Sequence, residues 1–361
     1  MKTRSRALVV ALLTPALVAT LAVAPVSAAN EVRRVTVMTR NLYLGADIDP
    51  LFAATDQASF LAAVVGLWNS VVSTDFPTRA DALADEIAAH EPDLIGLQEA
   101  VVWRSGPLLD PAAATDVEYD FLATLLDELH ERGLRYRAIA TQTNFDGEGP
   151  NVVIGRDVRL TDRDVILARV PRHGVRVSNP MSATFPAATL VSFEHPIIGA
   201  ITIVRGWTSV DVTLRGRRFR FINTHLETAA FPPAQLAQTA ALLAGPAATS
   251  MPVVIVGDLN SGPGGFTGTY DAVTGAGFVD AWVDANGAAA GLTCCQSGTL
   301  QNATSTLSER IDLVLSRGVS ARGFAFDTGS ATVVGDDPAD KVGGLWPSDH
   351  AGVVATLTFD R

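Results

Sequence analysis

Two short runs limit what this chain can fold into more than any other feature: Leu94-Ile-Gly-Leu-Gln-Glu99 and Val253-Val-Ile-Val-Gly-Asp258. Each is an apolar stretch of strand length that stops on a carboxylate. A strand apolar at successive positions is covered on both faces, which places it inside a layered α/β domain and not at a solvated edge. An ionised carboxylate at the mouth of such a strand is costly unless a metal, a cation or strong donors meet it. Ends of neighbouring strands converge at one edge of a sheet, where ligand sites are favoured.

The rest of the pattern fits the same class. Residues 34–44 begin with alternating Val35 and Val37 and read as a strand that runs into a loop. Residues 78–90 carry the helical stripe Ala80, Leu83, Ala84 and Ile87, closed by His90 and Pro92. A second helix is expected from Val117 through Phe121, Leu125 and Leu129, stopped by Gly133. Strands follow at 201–205, 210–214 and 219–223, then a helix at 233–243 and late strands at 311–315 and 353–359. There is no internal repeat, and 48% hydrophobic with 18% charged residues suits a large core.

Residues 1–29 are expected to be a signal peptide. Lys2, Arg4 and Arg6 precede an apolar run over 7–24, and Val26-Ser27-Ala28 offers the small residues a peptidase reads. Pro15 and Pro25 argue against a retained anchor. The expected product is a secreted, extracellular chain with one domain over 30–361, no transmembrane anchor after cleavage and no stable protein partner. Loss of the three leader cations takes the net charge from −11 to −14 and leaves Lys341 as the sole lysine. So acidic a chain is repelled by nucleic acid and by anionic lipid at long range, although a bound cation inverts the field locally. The adjacent Cys294 and Cys295 are either two free thiols or a strained bridge between neighbours, with no further metal ligand close by in sequence.

Six histidines divide by context. His90 and His130 sit near helix C-termini and His173 and His195 beside prolines, where no function is needed. His225 and His350 instead fall in the polar triplets Asn223-Thr224-His225 and Ser348-Asp349-His350 that abut apolar strands. Asp312 is flanked by apolar residues in Arg310-Ile-Asp-Leu-Val-Leu315. Several such carboxylates with few cations to pair with point to a shared metal, and an oxygen-only ligand set suits Mg²⁺, with Mn²⁺ an alternative. There is no Gly-x-Ser-x-Gly elbow, no His-Glu-x-x-His and no phosphate loop. The glycine-rich stretch 262–268 lacks the lysine of such a loop and reads as a flexible segment beside the site.

Taken in order, Arg40-Asn41-Leu42, Leu97-Gln98-Glu99, Asn223-Thr224-His225-Leu226, Gly257-Asp258-Leu259-Asn260, Arg310-Ile311-Asp312 and Ser348-Asp349-His350 resemble the endonuclease/exonuclease/phosphatase superfamily, in its secreted bacterial type. The resemblance spans roughly residues 36–357 and implies a deoxyribonuclease I-like four-layer α/β sandwich, two packed mixed β-sheets flanked by helices. It implies that Asn41, Glu99 and Asp349 hold a catalytic Mg²⁺, and that His350, oriented by Asp312, contacts the phosphate and helps activate water. Asp258 would position or deprotonate the water, Asn260 would hold a phosphate oxygen, and His225 would stabilise charge on phosphorus or the leaving oxygen. Either Asp258 or His350 could be the base. No residue over 144–151 or 157–169 can be matched to the substrate-side polar group the family supplies there.

The expected function is hydrolysis of a phosphodiester by in-line water attack, on nucleic acid or on a sphingomyelin-like phospholipid. An arginine strip over Arg205, Arg215, Arg217, Arg218 and Arg220 would suit the first, and exposed aromatics at Trp103 or Trp207 the second. A phosphomonoesterase of the inositol-phosphate type would want lysines this chain lacks. A non-catalytic binding module on the same fold would have lost a core site residue, and none is lost.

Overall fold

The computed structural model describes residues 33–171, 174–318 and 325–359; the leader expected over 1–29 lies outside them, as does His173. In chain order the elements are β1 (Arg33–Asn41), α1 (Asp49–Ala53), α2 (Gln57–Ser73), α3 (Phe76–His90), β2 (Leu94–Gln98), β3 (Val102–Pro107), β4 (Asp116–Asp120) and α4 (Phe121–Glu131). The long pair β5 (Tyr136–Asn151) and β6 (Arg156–Arg169) follows, then β7 (Val175–Thr184), β8 (Val191–His195), β9 (Gly199–Ile203), β10 (Gly206–Leu214) and β11 (Arg217–His225). The chain continues through α5 (Pro232–Ala244), β12 (Val253–Asp258), α6 (Thr269–Gly275), β13 (Val279–Asp280), α7 (Ala281–Asn286), β14 (Asp312–Arg317), β15 (Phe326–Val334) and β16 (Gly352–Phe359).

One sheet runs β15-β16-β1-β2-β6-β3-β4, with β5 on β6, and a second runs β13-β14-β12-β11-β10-β7. The parallel pairs β1–β2 and β11–β12 make both sheets mixed. Side-chain alternation assigns each strand's faces to separate cores. Val35 and Val37 of β1, Val254 and Val256 of β12 and Val353, Ala355 and Leu357 of β16 pack between the sheets. Met38 and Ile95 point the other way, onto Phe60 and Val64 of α2, Leu83 and Ile87 of α3 and Leu125 of α4. Val253, Ile255 and Leu313 pack on the opposite outer face with Leu242 of α5 and Val273 of α6. Three cores between four layers give the expected sandwich.

The sheets touch closely at Gly96, where a Cβ would stand 2.5 Å from Val256 and 2.6 Å from Asn223 Oδ1. Here Asn223 bridges the layers, accepting from Gln98 Nε2 at 2.6 Å and donating to Leu97 O at 2.9 Å. These bonds satisfy polar groups that the apolar interlayer would otherwise strand.

Three sequence expectations need correction. The second helix begins at Phe121, because Asp120 caps it by accepting from Ala123 N–H and Val117 pairs in β4 with β3. Residues 204 and 205 fall beyond β9, which pairs only with β8 in a separate hairpin. Trp103 is 1% exposed in the core, so it offers nothing to a lipid surface. Among the described residues no single helix is long and apolar enough to cross a membrane.

Candidate active site

Register brings the polar strand ends together. In the second sheet His225 lies beside Asp258, and Asp258 opposite Asp312, in one row across β11, β12 and β14. In the first sheet Asn41 lies beside Gln98, which puts Glu99 just past the same edge, and Asp349 and His350 lead into β16. Asn41 joins the two rows by donating from Nδ2 to Glu99 Oε1 at 3.1 Å and to Asp258 Oδ2 at 3.2 Å. Its Oδ1 accepts from Tyr43 N–H, so Asn41, expected among the metal ligands, here holds Glu99 in place with its nitrogen.

His350 Nδ1 lies 2.8 Å from Asp312 Oδ2 and 3.8 Å from Asp258 Oδ2, and His225 Nε2 lies 3.5 Å from the same Asp258 oxygen. Asn260 N–H donates to Asp258 Oδ1 at 2.8 Å, and Asn260 Nδ2 is spent on Leu226 O at 3.0 Å. Glu99 Oε2 accepts from Leu44 N–H at 2.7 Å. Glu99 (φ 56°) and Asn260 (φ 48°) adopt left-handed backbone, a conformation that costs a non-glycine residue on the order of 1 kcal/mol and is held only by its surroundings. All eight expected residues line one buried edge or touch a residue that does.

Burial and mutual repulsion set the charges. Burial, with Asp349 and Asp162 nearby, pushes Glu99 up to about 8. Burial, with Asp312 adding to it, takes Asp258 up to about 6. Burial also raises Asp349. His350 runs against its own burial: Asp312, Asp349 and Asp258 together outweigh that penalty and hold the imidazole well above its ordinary range. Burial and the neighbouring charges of Arg205 and His350 keep His225 well below its ordinary range. His225 Nδ1 and Asp312 Oδ1 are buried without a hydrogen-bond partner.

A divalent cation fits this donor set. Glu99 and Asp349 are half-buried carboxylates that desolvation raises, and a hard cation between them would favour their ionised form. Asp258, Asp312 and His350 also group closely enough to share an ion.

The site contains groups that strand reading missed. A cleft of about 730 Å³ is lined by Tyr43, Asn144, Asp162, Arg205 and Glu227 beside the expected residues. Asp162 and Asp164 sit at alternate positions after Val158 and Leu160 on β6, so carboxylates occupying an inward strand face were the available signal. Arg205 Nη2 stands 3.7 Å from Glu227 Oε1, and the acids around it more than offset the burial that would lower its pKa. Beneath the site, Arg79 donates to the carbonyls of Leu42, Tyr43, Thr74 and Pro347, and Arg40 binds His350 O and Glu86. Two other arginines of the expected strip, Arg218 and Arg220, both pair with Asp211. Cys294 and Cys295 are bridged to each other, and Cys295 Sγ lies 4.0 Å from His350 Nε2, a neighbour remote in sequence.

The family model described as Endonuclease/Exonuclease/phosphatase family matches residues 68–350. Comparison with curated proteins finds no match. Among solved structures, an endonuclease/exonuclease/phosphatase family protein from Leptotrichia buccalis C-1013-b is similar over 90% of this chain and 99% of its own, at 16% identity and TM-score 0.56. The human Nocturnin catalytic domain with bound sulfate is similar over 91% of this chain and 95% of its own, at 16% identity and TM-score 0.51. D. rerio TDP2 complexed with single-strand DNA product is similar over 90% and 98%, at 17% identity and TM-score 0.50. At these identities the likeness establishes the fold.

Proposed function

The chain belongs to the endonuclease/exonuclease/phosphatase family, whose members are in general hydrolytic phosphoesterases, and from that premise we propose a divalent-metal-dependent phosphodiester hydrolase that is exported. The observation that carries this reading is the Asp312–His350 pair at 2.8 Å facing Asp258, with Glu99 and Asp349 on the same buried edge.

In-line attack on a phosphodiester needs an activated water, charge neutralisation on the non-bridging oxygens and help for the leaving oxygen. Asp258, at about 6, is ionised at neutral pH yet basic enough to take a proton from water, and Asn260 N–H and Asn41 Nδ2 fix its carboxylate. His350, kept protonated by three carboxylates, serves as a cationic donor to a phosphate oxygen. On this reading Asp258 is the base and His350 the acid. His225, neutral at pH 7, and the charged Arg205 beside it support the leaving oxygen and the phosphoryl charge. Glu99 and Asp349 would hold Mg²⁺ or Mn²⁺, with Asn41 orienting Glu99, and when bound the ion supplies charge neutralisation at the phosphate. Export rests on the leader expected over 1–29, and the domain then begins near residue 30.

Hydrolysis of bis(p-nitrophenyl) phosphate tests the reading. Activity with Mg²⁺ that is lost in EDTA and in His350→Ala is expected. Activity that survives both treatments would rule the mechanism out. N-terminal sequencing of protein from culture medium should begin at Ala29 or Asn30; a chain retained with its leader would refute export.

A further inference from the structure

The phosphoester cleft has an apolar neighbour. A cavity of about 340 Å³ lies beside it, and Ile48, Phe52, Phe145, Leu160 and Val204 form part of both linings. Its deeper wall is Phe60, Val64 and Leu67 of α2 with Trp103 of β3, all buried. Its outer wall is the β8–β9 hairpin, which is pinned to α1 by His195 Nε2 against Leu51 O at 3.1 Å and by the Phe52–Phe193 edge contact. The hairpin tip leaves Ile197 and Ile198 exposed, and Ile198 also lines the cavity.

We propose that this cavity is the subsite for an aliphatic chain of the substrate, which makes the substrate a phospholipid-type phosphodiester; the proposal rests on the phosphodiesterase reading above. Three observations converge. The lining is aliphatic and aromatic, with polar groups confined to Asp146, Glu148 and Thr202, so a nucleobase would find few partners for its ring nitrogens and carbonyls. The space suits a flexible chain on the order of ten carbons, at about 30 Å³ for each water-sized group. Beyond the two carboxylates that would hold the metal, the cleft carries Asp47, Asp49, Asp162, Glu227 and Asp258 against Arg205 and His350, an acidic field that disfavours a polyanionic strand. A single phosphodiester with a neutralising head group meets less repulsion, and its chain is drawn from water into the cavity. The exposed isoleucines at the hairpin tip give the cavity an apolar outer lip.

A series of p-nitrophenyl alkyl phosphates from ethyl to dodecyl, kept below micelle-forming concentration, tests this. In the wild type kcat/KM should rise about fourfold per methylene and level off once the cavity is full. In Ala200→Trp, where the new ring projects from the cavity wall, the dodecyl-to-ethyl ratio should fall toward one, while Ala200→Ser should keep the wild-type slope. A flat wild-type series, or faster hydrolysis of a dinucleotide than of the dodecyl ester, would overturn the proposal. Dodecylphosphocholine binding by calorimetry separates the two readings. Binding by the wild type that Ala200→Trp abolishes, in a protein that hydrolyses none of the esters, would support the chain subsite and refute the phosphodiesterase. Absence of binding would overturn the subsite even in an active enzyme.

Discussion

His350 does its work through its neighbours. An imidazole buried alone would lose its proton; three carboxylates reverse that outcome, and Asp312 at 2.8 Å fixes which ring nitrogen faces inward. Asp312→Asn should therefore lower kcat by about 10²–10⁴-fold with the circular dichroism spectrum unchanged; a loss below tenfold would show that Asp312 does not set the histidine's state. Asp258 carries the pH dependence. Burial takes it up to about 6, so kcat/KM should climb through pH 6 with slope one and flatten above, and Asp258→Asn should abolish that limb. The residue types were legible at strand ends, and the roles expected of them came with the family resemblance. The protonation states were not legible, because they depend on Asp312 and Asp258, 38 and 92 positions from His350 in the chain.

At the scale of elements, strand register sets the geometry and buried arginines brace the loops. Arg79 of α3 spans four carbonyls from three segments, so it ties the loop after β1 to the loop before β16. Truncating a buried charge strands those carbonyls. Arg79→Met should cost about 3–5 kcal/mol in urea unfolding and raise the metal requirement for activity. A cost below 1 kcal/mol would deny the brace. Gly96→Ala tests the contact between sheets: the added methyl meets Val256 and Asn223, and a loss of about 1–3 kcal/mol is expected by the same method. The apolar strands β2 and β12 and the stripe of α3 were readable from the sequence because period and burial coincide there. The β5–β6 pair was not, since polar residues and glycines mask a long strand whose inward face carries Asp162 and Asp164. At α4 the apolar repeat ran one step too far, to Val117, because periodicity does not register a cap at Asp120.

For the whole molecule, buried acids link stability to pH and metal. Glu99 (about 8), Glu86 (about 7, raised by burial against the pull of Arg40) and Asp258 (about 6) keep protons that the unfolded chain releases near pH 4. Stability therefore falls as pH rises toward 8. His350 adds the same sign, its contribution being present below 6.5 and lost above. His225 opposes this only below 6.5, where the unfolded chain binds the proton that the folded one refuses. The Tm of metal-free protein should fall from pH 6.5 to 8, and Mg²⁺ at about 100 times its Kd should raise Tm at pH 8 by about 4 °C. A Tm indifferent to Mg²⁺ at pH 8 would refute a cation at the acid cluster.

The sequence by itself determined the layered α/β class and the strands that end in carboxylates, while the expected set of eight site residues came with the family resemblance. The class and the strand ends follow from local rules, since an apolar run with a charged end can be neither a solvated edge nor a fully buried segment. Tertiary structure alone decided that Arg79 and Arg40 brace the site, that Asp162 and Arg205 enter the cleft, and that an apolar cavity adjoins it. Each of these depends on side chains from distant segments meeting across a layer, and no window of sequence contains both partners.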